Sequence, residues 1–231
     1  MSKYLPFMVY ENVMEFLKYR KLVLMGAVLE EKKYIEKIQM NGYVIVEAKD
    51  ADDKQRRPNK SMHLSTVGLP VKTYIVIVEP SSEVSQKSAD FEKMLKDIHP
   101  IFSAKRNYNI EVILITKEEL KSNIINKIST YTMPGGSKKD AVEGFILINN
   151  YTYKNFIIVV PKHVMVPPHR ILSKEEEEQL LSETYTRKMD IPKITQKDPN
   201  TIWHDGQRGD IFEILVPSEN SGTEIHYRCV L

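Results

Sequence analysis

The run RGDIFEILVPSENSGTEIHYRCVL closes the chain at residues 208–231 and decides the fold of its C-terminal part. It contains two β-prone segments, Ile211–Val216 and Thr223–Val230, in which apolar and polar residues alternate as in a strand with one buried face. Gly209-Asp210 would turn the chain into the first strand, and SENSG at 218–222 would be the loop that joins the two. The pattern predicts a pair of strands. The residues expected on one face of the second strand are Ile225, Tyr227 and Cys229.

A helix is predicted upstream of these strands, starting at Ser173. Ser173 and Glu176 have the spacing of a capping box, in which each side chain accepts from a backbone N–H group at the helix start. The acidic run Glu175–Glu178 lies in the first turn, where the helix dipole favours negative charge, so the run needs no ligand. The apolar residues expected on this helix are Leu180, Leu181 and Tyr185.

Prolines divide the C-terminal part of the chain. Asp198 and Pro199 predict a short helical turn, with the aspartate as its cap, that Gly206 could end. Upstream, VPKHVMVPPHR at residues 160–170 contains three prolines, which would interrupt a helix. We therefore place a domain boundary at residue 160.

Residues 1–159 alternate between β-prone and helical segments, which predicts an α/β domain with helices packed on a sheet. The predicted strands are Tyr43–Glu47, Tyr74–Val78, Ile110–Ile115 and Phe145–Ile148. The predicted helices are Glu11–Arg20, a run with Tyr34, Ile35 and Ile38 on one face, Ser88–Ile98 and Glu118–Ile128. Loops are predicted at 50–60, 79–86 and 133–139, which are rich in charged residues, Ser, Pro or Gly. Residues 160–231 predict a small α+β domain.

Composition narrows the classes of protein. The 231 residues are 42% hydrophobic and 28% charged, which is ordinary for a protein with one large or two small cores. The single cysteine, Cys229, excludes an internal disulfide and a cysteine-based zinc site. No membrane span or secretory signal is recognised, so an intracellular protein is expected. Residues 161–231 hold 9 Lys+Arg against 12 Asp+Glu, and the preceding residues hold 24 against 19, so the N-terminal domain is the better candidate to lie near a polyanion.

Seven short elements follow one another in the C-terminal domain. They are Val160-Pro161-Lys162-His163, the Ser173 helix, Ile191-Pro192-Lys193-Ile194, Asp198-Pro199, Arg208-Gly209-Asp210, Ser218-Glu219-Asn220-Ser221-Gly222 and Tyr227-Arg228. In this order they resemble the assembly domain of the fifth subunit shared by the eukaryotic DNA-directed RNA polymerases, a domain that in archaea forms a small polymerase subunit by itself. Any one of the motifs is weak, but seven in order over about 70 residues form a specific signal.

The C-terminal domain departs from that family at two places, and residues 1–159 resemble a further domain of the family. Val216-Pro217 stands where family members usually carry a basic pair, and Trp203-His204-Asp205 replaces hydrophobic residues. The order of elements in residues 1–159 resembles the family's N-terminal jaw domain, which the archaeal counterpart lacks. Tyr19-Arg20-Lys21 looks closest to versions encoded by large DNA viruses, so the resemblance favours a viral polymerase over a cellular one.

The resemblance implies a non-catalytic structural subunit of a multisubunit DNA-directed RNA polymerase. Its C-terminal domain would dock on the largest subunit, and its jaw, a nuclease-like fold without an active site, would lie beside the downstream duplex and contact the DNA backbone. One copy per hetero-oligomer is expected, with no cofactor or metal of its own. The protein would act in the nucleus if it is cellular, or in the cytoplasmic viral factory and the virion if it is viral.

The resemblance also selects candidate residues. Those expected at the partner interface are Pro161, Lys162, His163, Asp198, Pro199, Arg208, Gly209, Asp210, Ser218, Glu219, Gly222, Tyr227 and Arg228. Those expected near DNA are Thr116, Lys117, Arg56 and Arg57. The two arginines belong to a basic loop that could instead be a solvated surface or a nuclear targeting element.

Two alternatives come from other classes of protein. Glu47-Ala48-Lys49 is half of the motif that metal-dependent nucleases use, but no upstream acidic partner is recognised. The other alternative is a free-standing transcription adaptor that uses the docking module outside a polymerase. Gly135-Gly136-Ser137-Lys138 lacks the spacing of a phosphate-binding loop, and the six histidines lack metal-ligand spacing.

Overall fold

The computed structural model of the chain describes residues 4–50, 71–80, 87, 89–94, 109–126 and 146–231. The chain divides into two compact units, Met1–Ile157 and Ile158–Leu231, and the boundary predicted at residue 160 lies two residues from this division. Both units mix helices with β-strands, as the sequence predicts. Most of the loops predicted at 50–60 and 79–86, and all of the loop at 133–139, lie outside the described residues.

The first unit contains a five-stranded sheet. Its elements are α1 (Leu5–Tyr19), β1 (Leu22–Leu24), α2 (Glu31–Asn41), β2 (Tyr43–Asp50), β3 (Val71–Val78), β4 (Asn109–Thr116) and β5 (Ile146–Thr152), with short helical segments at 89–94 and 122–126 and a 3-10 turn at Tyr153–Asn155. The strands stand side by side in chain order. β1, β2 and β3 pair antiparallel, whereas β3, β4 and β5 pair in parallel.

Strand β4 explains how this sheet is buried. All eight of its residues, NIEVILIT, are buried, which is typical of a strand in the parallel part of a sheet that is covered on both faces. One face packs against Phe91, Met94 and Ile124 of the short helical segments and against Leu120, which precedes the second of them. The helices α1 and α2 contact strands of the sheet, and α1 buries Val13, Phe16 and Leu17 among others. Both faces of the sheet are therefore covered, and the sheet forms the centre of the core of the first unit.

The second unit contains a four-stranded sheet. Its elements are a 3-10 turn (Val160–Lys162), β6 (His169–Ile171), α3 (Lys174–Thr184), β7 (Lys193–Ile194), α4 (Pro199–Trp203), β8 (Ile211–Ser218) and β9 (Gly222–Val230). The strand order is β6-β8-β9-β7. β8 pairs antiparallel with both β6 and β9, and β7 pairs in parallel with β9.

The helix boundaries in this unit follow the sequence signals. Ser173 accepts a hydrogen bond from the N–H of Glu176, and the Glu176 side chain accepts from the N–H of Ser173, which confirms the capping box. Asp198 caps α4 by accepting from the Asn200 N–H at 2.9 Å, with Pro199 as the first helical residue. The prediction for Tyr185 was wrong: it lies past the last residue of α3, has a left-handed backbone with φ of 52°, and is 94% exposed.

Each face of the second sheet carries a small apolar cluster. One contains Leu172, Ile191, Ile211 and Cys229 with Leu180 and Leu181 of α3 packed against them. The other contains Phe212, Ile214 and Val230. The predicted face of Ile225, Tyr227 and Cys229 exists in the strand register, but only Cys229 is buried and Ile225 is 54% exposed. The half of the hairpin nearest its tip therefore extends beyond the apolar core of the second unit.

Candidate functional site

The structure brings two of the predicted interface motifs together. The 3-10 turn Val160–Lys162 contacts helix α4, so the V-P-K-H element lies against the helix that Asp198 and Pro199 start. His163 stabilises the following turn because its Nδ1 accepts the N–H of Met165 at 3.2 Å. This turn presents Val164 and Met165 to solvent, with exposures of 92% and 80%. Exposed apolar side chains on a hydrogen-bonded turn are suited to a partner surface.

The V-P-x-H pattern occurs a second time, at Val166-Pro167-Pro168-His169, which was not singled out from the sequence. The structure joins this copy to the sheet, since His169 is the first residue of β6. Its ring packs edge-on against Phe212, as does the ring of His204, whose Nδ1 lies 2.9 Å from the Asn200 carbonyl oxygen. The repetition of the pattern was the signal that could have found it.

Burial lowers the pKa of one histidine of this pair, His204. Loss of water around the ring lowers the pKa of His204 from its ordinary value of 6.5, although the Asn200 carbonyl acts in the opposite direction. The neighbouring ring of His169, 6.5 Å away between centroids, adds to the lowering of that pKa. The folded unit therefore favours a neutral His204.

The Arg208-Gly209-Asp210 turn links the start of β8 to the end of β9. The N–H of Gly209 donates to the Val230 carbonyl at 2.9 Å, and the N–H of Val230 donates to the Asp210 carbonyl at 2.9 Å. Gly209 has φ of 86°, a left-handed conformation that favours glycine, which explains why the turn uses this residue. Arg208 is exposed beside it. The motif is thus a structural turn with one charged side chain directed to the surface.

Glu177 has a structural role in this unit that the sequence did not predict. The acidic run was interpreted only as a complement to the helix dipole, but Glu177 is buried and its Oε1 accepts the N–H of Ile211 at 3.2 Å. Its other oxygen forms an ion pair with Lys188, whose Nζ also donates to the Gly209 carbonyl at 3.0 Å. One carboxylate therefore joins α3 to the turn that starts β8. Helical spacing alone could not distinguish Glu177 from its exposed neighbours.

The hairpin tip is tighter than predicted. Ser218 and Gly222 are paired ends of β8 and β9, so the loop contains only residues 219–221 instead of 218–222. The Ser218 hydroxyl donates to Glu224 at 2.7 Å, and this bond, followed by the contact with His226, lowers the pKa of the Glu224 carboxyl. Glu219 is exposed at the tip.

The predicted interface residues in β8 and β9 lie along a line. The Arg208-Gly209-Asp210 turn and the Ser218–Gly222 tip stand at opposite ends of an eight-residue strand, which separates them by roughly 25 Å. Between them, Arg228 is exposed and donates to the Lys193 carbonyl at 3.3 Å. Tyr227 is half-buried, and burial is the main cause that raises the pKa of its hydroxyl. The hairpin therefore offers a strip rather than a compact patch.

The residues predicted near DNA divide into three groups. Thr116, the last residue of β4, is fully buried, and its hydroxyl donates to the Glu118 carbonyl at 2.6 Å. Lys117 is exposed at the turn and is followed by the exposed Glu118 and Glu119. Arg56 and Arg57 lie outside the described residues. Of these side chains, the structure places that of Lys117 at the surface.

The nuclease alternative depends on an acidic partner for Glu47 and Lys49. The nearest buried carboxylate in the sheet, Glu111, lies on the other face, because Glu47 is in register with Tyr74 and Val112 whereas Glu111 is in register with Thr73 and Ala48. Glu47 and Lys49 are both exposed at their own face. Among the described residues, the sheet register thus places Glu47 and Glu111 on opposite faces, so these two carboxylates do not share a site.

Glu111 has a structural role in this sheet. It accepts hydrogen bonds from Arg20 at 3.1 Å, Thr73 at 3.2 Å and Asn149 at 3.1 Å. The Arg20 and Glu111 side chains are only 1% and 3% exposed, and the Arg20 guanidinium lies 4.6 Å from the centroid of the Phe16 ring. Buried charges are tolerated when they are paired and hydrogen-bonded in this way.

Metal ligands and membrane spans can be judged in the part of the chain that the structure describes. There, no three or more His, Cys, Asp and Glu residues are grouped so that they could hold a metal ion. None of the helices among those residues is long and apolar enough to cross a membrane. The Gly135–Lys138 segment, His63 and His99 lie outside the described residues.

Comparison with known proteins singles out the second unit. A family model described as "RNA polymerase Rpb5, C-terminal domain" matches residues 158–230. An archaeal DNA-directed RNA polymerase subunit Rpo5 from Thermococcus kodakarensis is 41% identical over 69 residues, which cover 30% of this chain and 84% of the relative. The RPB5 homolog of African swine fever virus is 24% identical over 210 residues, which cover 90% of this chain and 89% of the relative. The subunit rpabc1 of Dictyostelium discoideum is 31% identical over 86 residues, or 37% of this chain and 44% of the relative.

Proposed function

We propose, from the premise that this chain belongs to the Rpb5 family of DNA-directed RNA polymerase subunits, that its second unit docks it onto the largest subunit of a multisubunit polymerase. The chain is a structural subunit without a catalytic role, and other polymerase subunits are its partners. One observation carries the docking proposal: the family match spans residues 158–230, almost the same residues as the compact unit 158–231.

Two surfaces of this unit would meet the partner. One is the V-P-K-H turn together with the start of α4, where Lys162 and His163 are exposed beside Val164 and Met165. The other is the strip along the β8–β9 hairpin, where the exposed Arg208, Glu219 and Arg228 would supply charged contacts. Charged groups at an interface rim give specificity of docking and speed of association more than affinity. The turns at Gly209 and Gly222 hold these side chains in place.

The first unit would act as the jaw that lies beside the downstream duplex, a nuclease-like fold that has no active site. Lys117 is the described side chain with which it would reach a phosphate, while the buried Thr116 fixes the turn that carries it. Such contacts position DNA without reading its sequence. Because Glu118 and Glu119 follow directly, we expect a weak contact there. The loop with Arg56 and Arg57 would add to it.

The relatives imply a nuclear location or a viral factory. The African swine fever virus homolog is similar over 90% of this chain, whereas the Dictyostelium subunit is similar over 37%. This difference favours a viral polymerase, with the protein in cytoplasmic factories and virions, present as one copy per polymerase.

Affinity purification of the tagged full-length chain from its native source tests the docking. We expect the two largest polymerase subunits to co-elute in near-equal amounts, with run-off transcription activity in the eluate. The double charge reversal Lys162→Glu/Glu219→Lys should lower their recovery about tenfold, which corresponds to roughly 1.4 kcal/mol of binding free energy.

The matched control is Glu178→Lys, a charge reversal at an exposed position of α3 in the same unit. It should leave recovery unchanged, because exposed single charges away from an interface contribute little. Recovery of the wild-type chain alone, or with unrelated partners, would contradict docking on a polymerase and favour the free-standing adaptor.

A further inference from the structure

The two outer edges of the β8–β9 hairpin differ in their backbone hydrogen bonds. On the outer side of β8, the N–H of Ile211 donates to Glu177, Glu213 pairs with Arg170 in β6, and the N–H of Leu215 donates to the Pro168 carbonyl at 3.1 Å. The next outward position is Pro217, which has no N–H group. Every outward position of β8 is therefore paired or cannot donate.

Among the described residues, the outer side of β9 finds backbone partners only at its end. The N–H groups of Cys229 and Leu231 donate outward, to the carbonyls of Pro192 and Ile194, while the N–H of Val230 donates inward to Asp210. Alternation along the strand directs the N–H and C=O groups of Thr223, Ile225 and Tyr227 outward as well. The parallel partner β7 stops at this point, since the next donor in its ladder would be Pro192.

The described part of the chain supplies no other strand for this edge, because β7 pairs with β9 only at Cys229 and Val230. The open stretch, Gly222–Tyr227, spans roughly 20 Å. It carries neither proline nor lysine, the residues that usually protect a strand edge from pairing with another chain. A long edge left open beside one that is fully closed indicates a strand-addition site.

The side chains along the edge describe the segment that would fit. On one face, Leu215 and Ile225 are cross-strand neighbours with exposures of 38% and 54%, which calls for an apolar side chain. On the other face, Glu224, His226 and Arg228 grade from acidic to basic along the strand. A complementary segment would place a basic side chain beside Glu224 and an acidic one beside Arg228.

We infer that an extended segment of another polymerase subunit adds to β9 as the fifth strand of this sheet, paired with residues 223–227. The inference rests on the proposed function and names how the docking is made. The location supports a subunit as the occupant, because the residues proposed for the interface, Ser218, Glu219 and Gly222 at one end and Arg228 at the other, border the open edge. Main-chain hydrogen bonds would give affinity, and the alternating side chains would give specificity.

Amide hydrogen exchange, resolved to single residues, tests the pairing in the assembled polymerase against the free full-length chain. The amides of Thr223, Ile225 and Tyr227 should exchange at least about tenfold more slowly in the complex, because exchange then requires opening of the added strand. The amides of Glu224, His226 and Arg228, which face β8, should be protected in both states. Equal exchange of the three outward amides in a complex that contains the chain overturns the inference while the subunit role stands.

Proline substitution distinguishes the contribution of the backbone N–H group to binding from that of the side chain. Ile225→Pro removes an outward N–H group and no bond of the β8–β9 ladder, and proline is tolerated on edge strands. We expect it to lower recovery of the largest subunits at least about tenfold, against less than about threefold for Ile225→Thr, which keeps the N–H group. Circular dichroism and melting temperature verify that both variants fold.

Each other outcome has a defined meaning. Equal losses for Ile225→Pro and Ile225→Thr indicate a side-chain contact alone and overturn strand addition. Protection of the outward amides in the free chain, together with a dimer in sedimentation, makes a second copy of the chain the occupant and overturns the inference as well. A wild-type chain that recovers no polymerase subunit overturns the proposed function and the strand addition together.

Discussion

The two sheets of this protein bury their strands to different degrees. In the first unit β4 has all eight residues buried, whereas in the second unit β9 has only its last two, Cys229 and Val230, buried out of nine. The first sheet completes its own core. The second leaves apolar side chains and backbone groups exposed, and a sheet of this kind is suited to be completed by a partner.

The comparisons point in the same direction. The archaeal relative is covered over 84% of its length by 30% of this chain, and the family model matches only residues 158–230. The family match therefore falls within the second unit, and a stretch of 69 residues similar to part of this chain makes up most of the archaeal relative. Two apolar clusters, one on either side of its four-stranded sheet, give the second unit a core of its own.

Among the substitutions that test this contrast, Arg20→Met in the first unit should change the free energy of unfolding most. It leaves the Glu111 carboxylate buried without its charge partner, and breaking such a pair costs about 3–5 kcal/mol. We expect the free energy of unfolding of the first unit to fall by that amount. Hydrogen exchange in denaturant, followed separately for residues of β4 and of β8, measures both units at once.

Glu15→Gln is the matched control for Arg20→Met. It removes an exposed ion pair with Lys18 on the same helix, which is worth at most about 1 kcal/mol. Equal effects of the two substitutions would contradict a closed, dry core in the first unit. A parallel loss of protection in β8 would show that the two units unfold together.

The second test is Gly206→Ala in the second unit. A methyl group at residue 206 would lie 2.8 Å from atoms of both the Phe212 ring and the Thr201 side chain, so overpacking should cost about 1–3 kcal/mol. Gly26→Ala in the first unit is the control, because no atom of the described residues lies within 4 Å of the added methyl group. Thermal unfolding measures both. An unchanged melting temperature for Gly206→Ala would mean that the small cluster around Phe212 can expand.

The sequence predicted the longer strands and the main helices of both units, but not the short strands β1, β6 and β7. It also did not predict which parts of each sheet stay exposed. Capping at Ser173 and Asp198 and the longer strands depend on local signals, so they could be predicted. The exposure of Ile225 could not, because alternation along a strand does not say where the covering helix ends. The prediction that Tyr185 is one of the apolar residues of α3 was wrong for the same reason. Tyr185 follows the last turn of the helix and has no core to pack against.

In the candidate site, the sequence predicts local features where a motif contains the glycine of a turn. Gly209 and Gly222 could be recognised because their left-handed backbones favour glycine. Glu177 could not, since its role depends on the N–H of Ile211 and on Lys188, which are distant in sequence. The closed edge of β8 likewise depends on a contact with Pro168 that no local pattern encodes.

The third test changes the N-terminal cap of α3, the helix that covers part of the second sheet. Ser173→Ala removes a cap of α3 and should cost about 1 kcal/mol, whereas Ser182→Ala near the helix end should cost less. Thermal unfolding of the full chain compares the two. Equal effects would mean that α3 is held by packing of Leu180 and Leu181 alone.

The smallest expected effect is a pH dependence confined to the second unit. Because burial lowers the pKa of His204 below 6.5, the unfolded chain binds a proton in a pH range where the folded unit resists it. Stability of the second unit should therefore fall as the pH drops through about 6.5, and the loss should level off once the folded His204 is also protonated. The neighbouring His169 contributes to the lowered pKa of His204.

Unfolding of the second unit between about pH 7.5 and about pH 5.5, followed by hydrogen exchange in β8, measures this effect. His204→Gln keeps an N–H group near the Asn200 carbonyl but cannot be protonated, so the dependence should decrease, whereas His226→Gln at an exposed position of β9 should leave it unchanged. The first unit serves as the internal reference, because no described residue of its sheet is a histidine. A pH dependence of the same size in His204→Gln would assign the effect to other groups and would remove the buried histidine from the features that distinguish the two units.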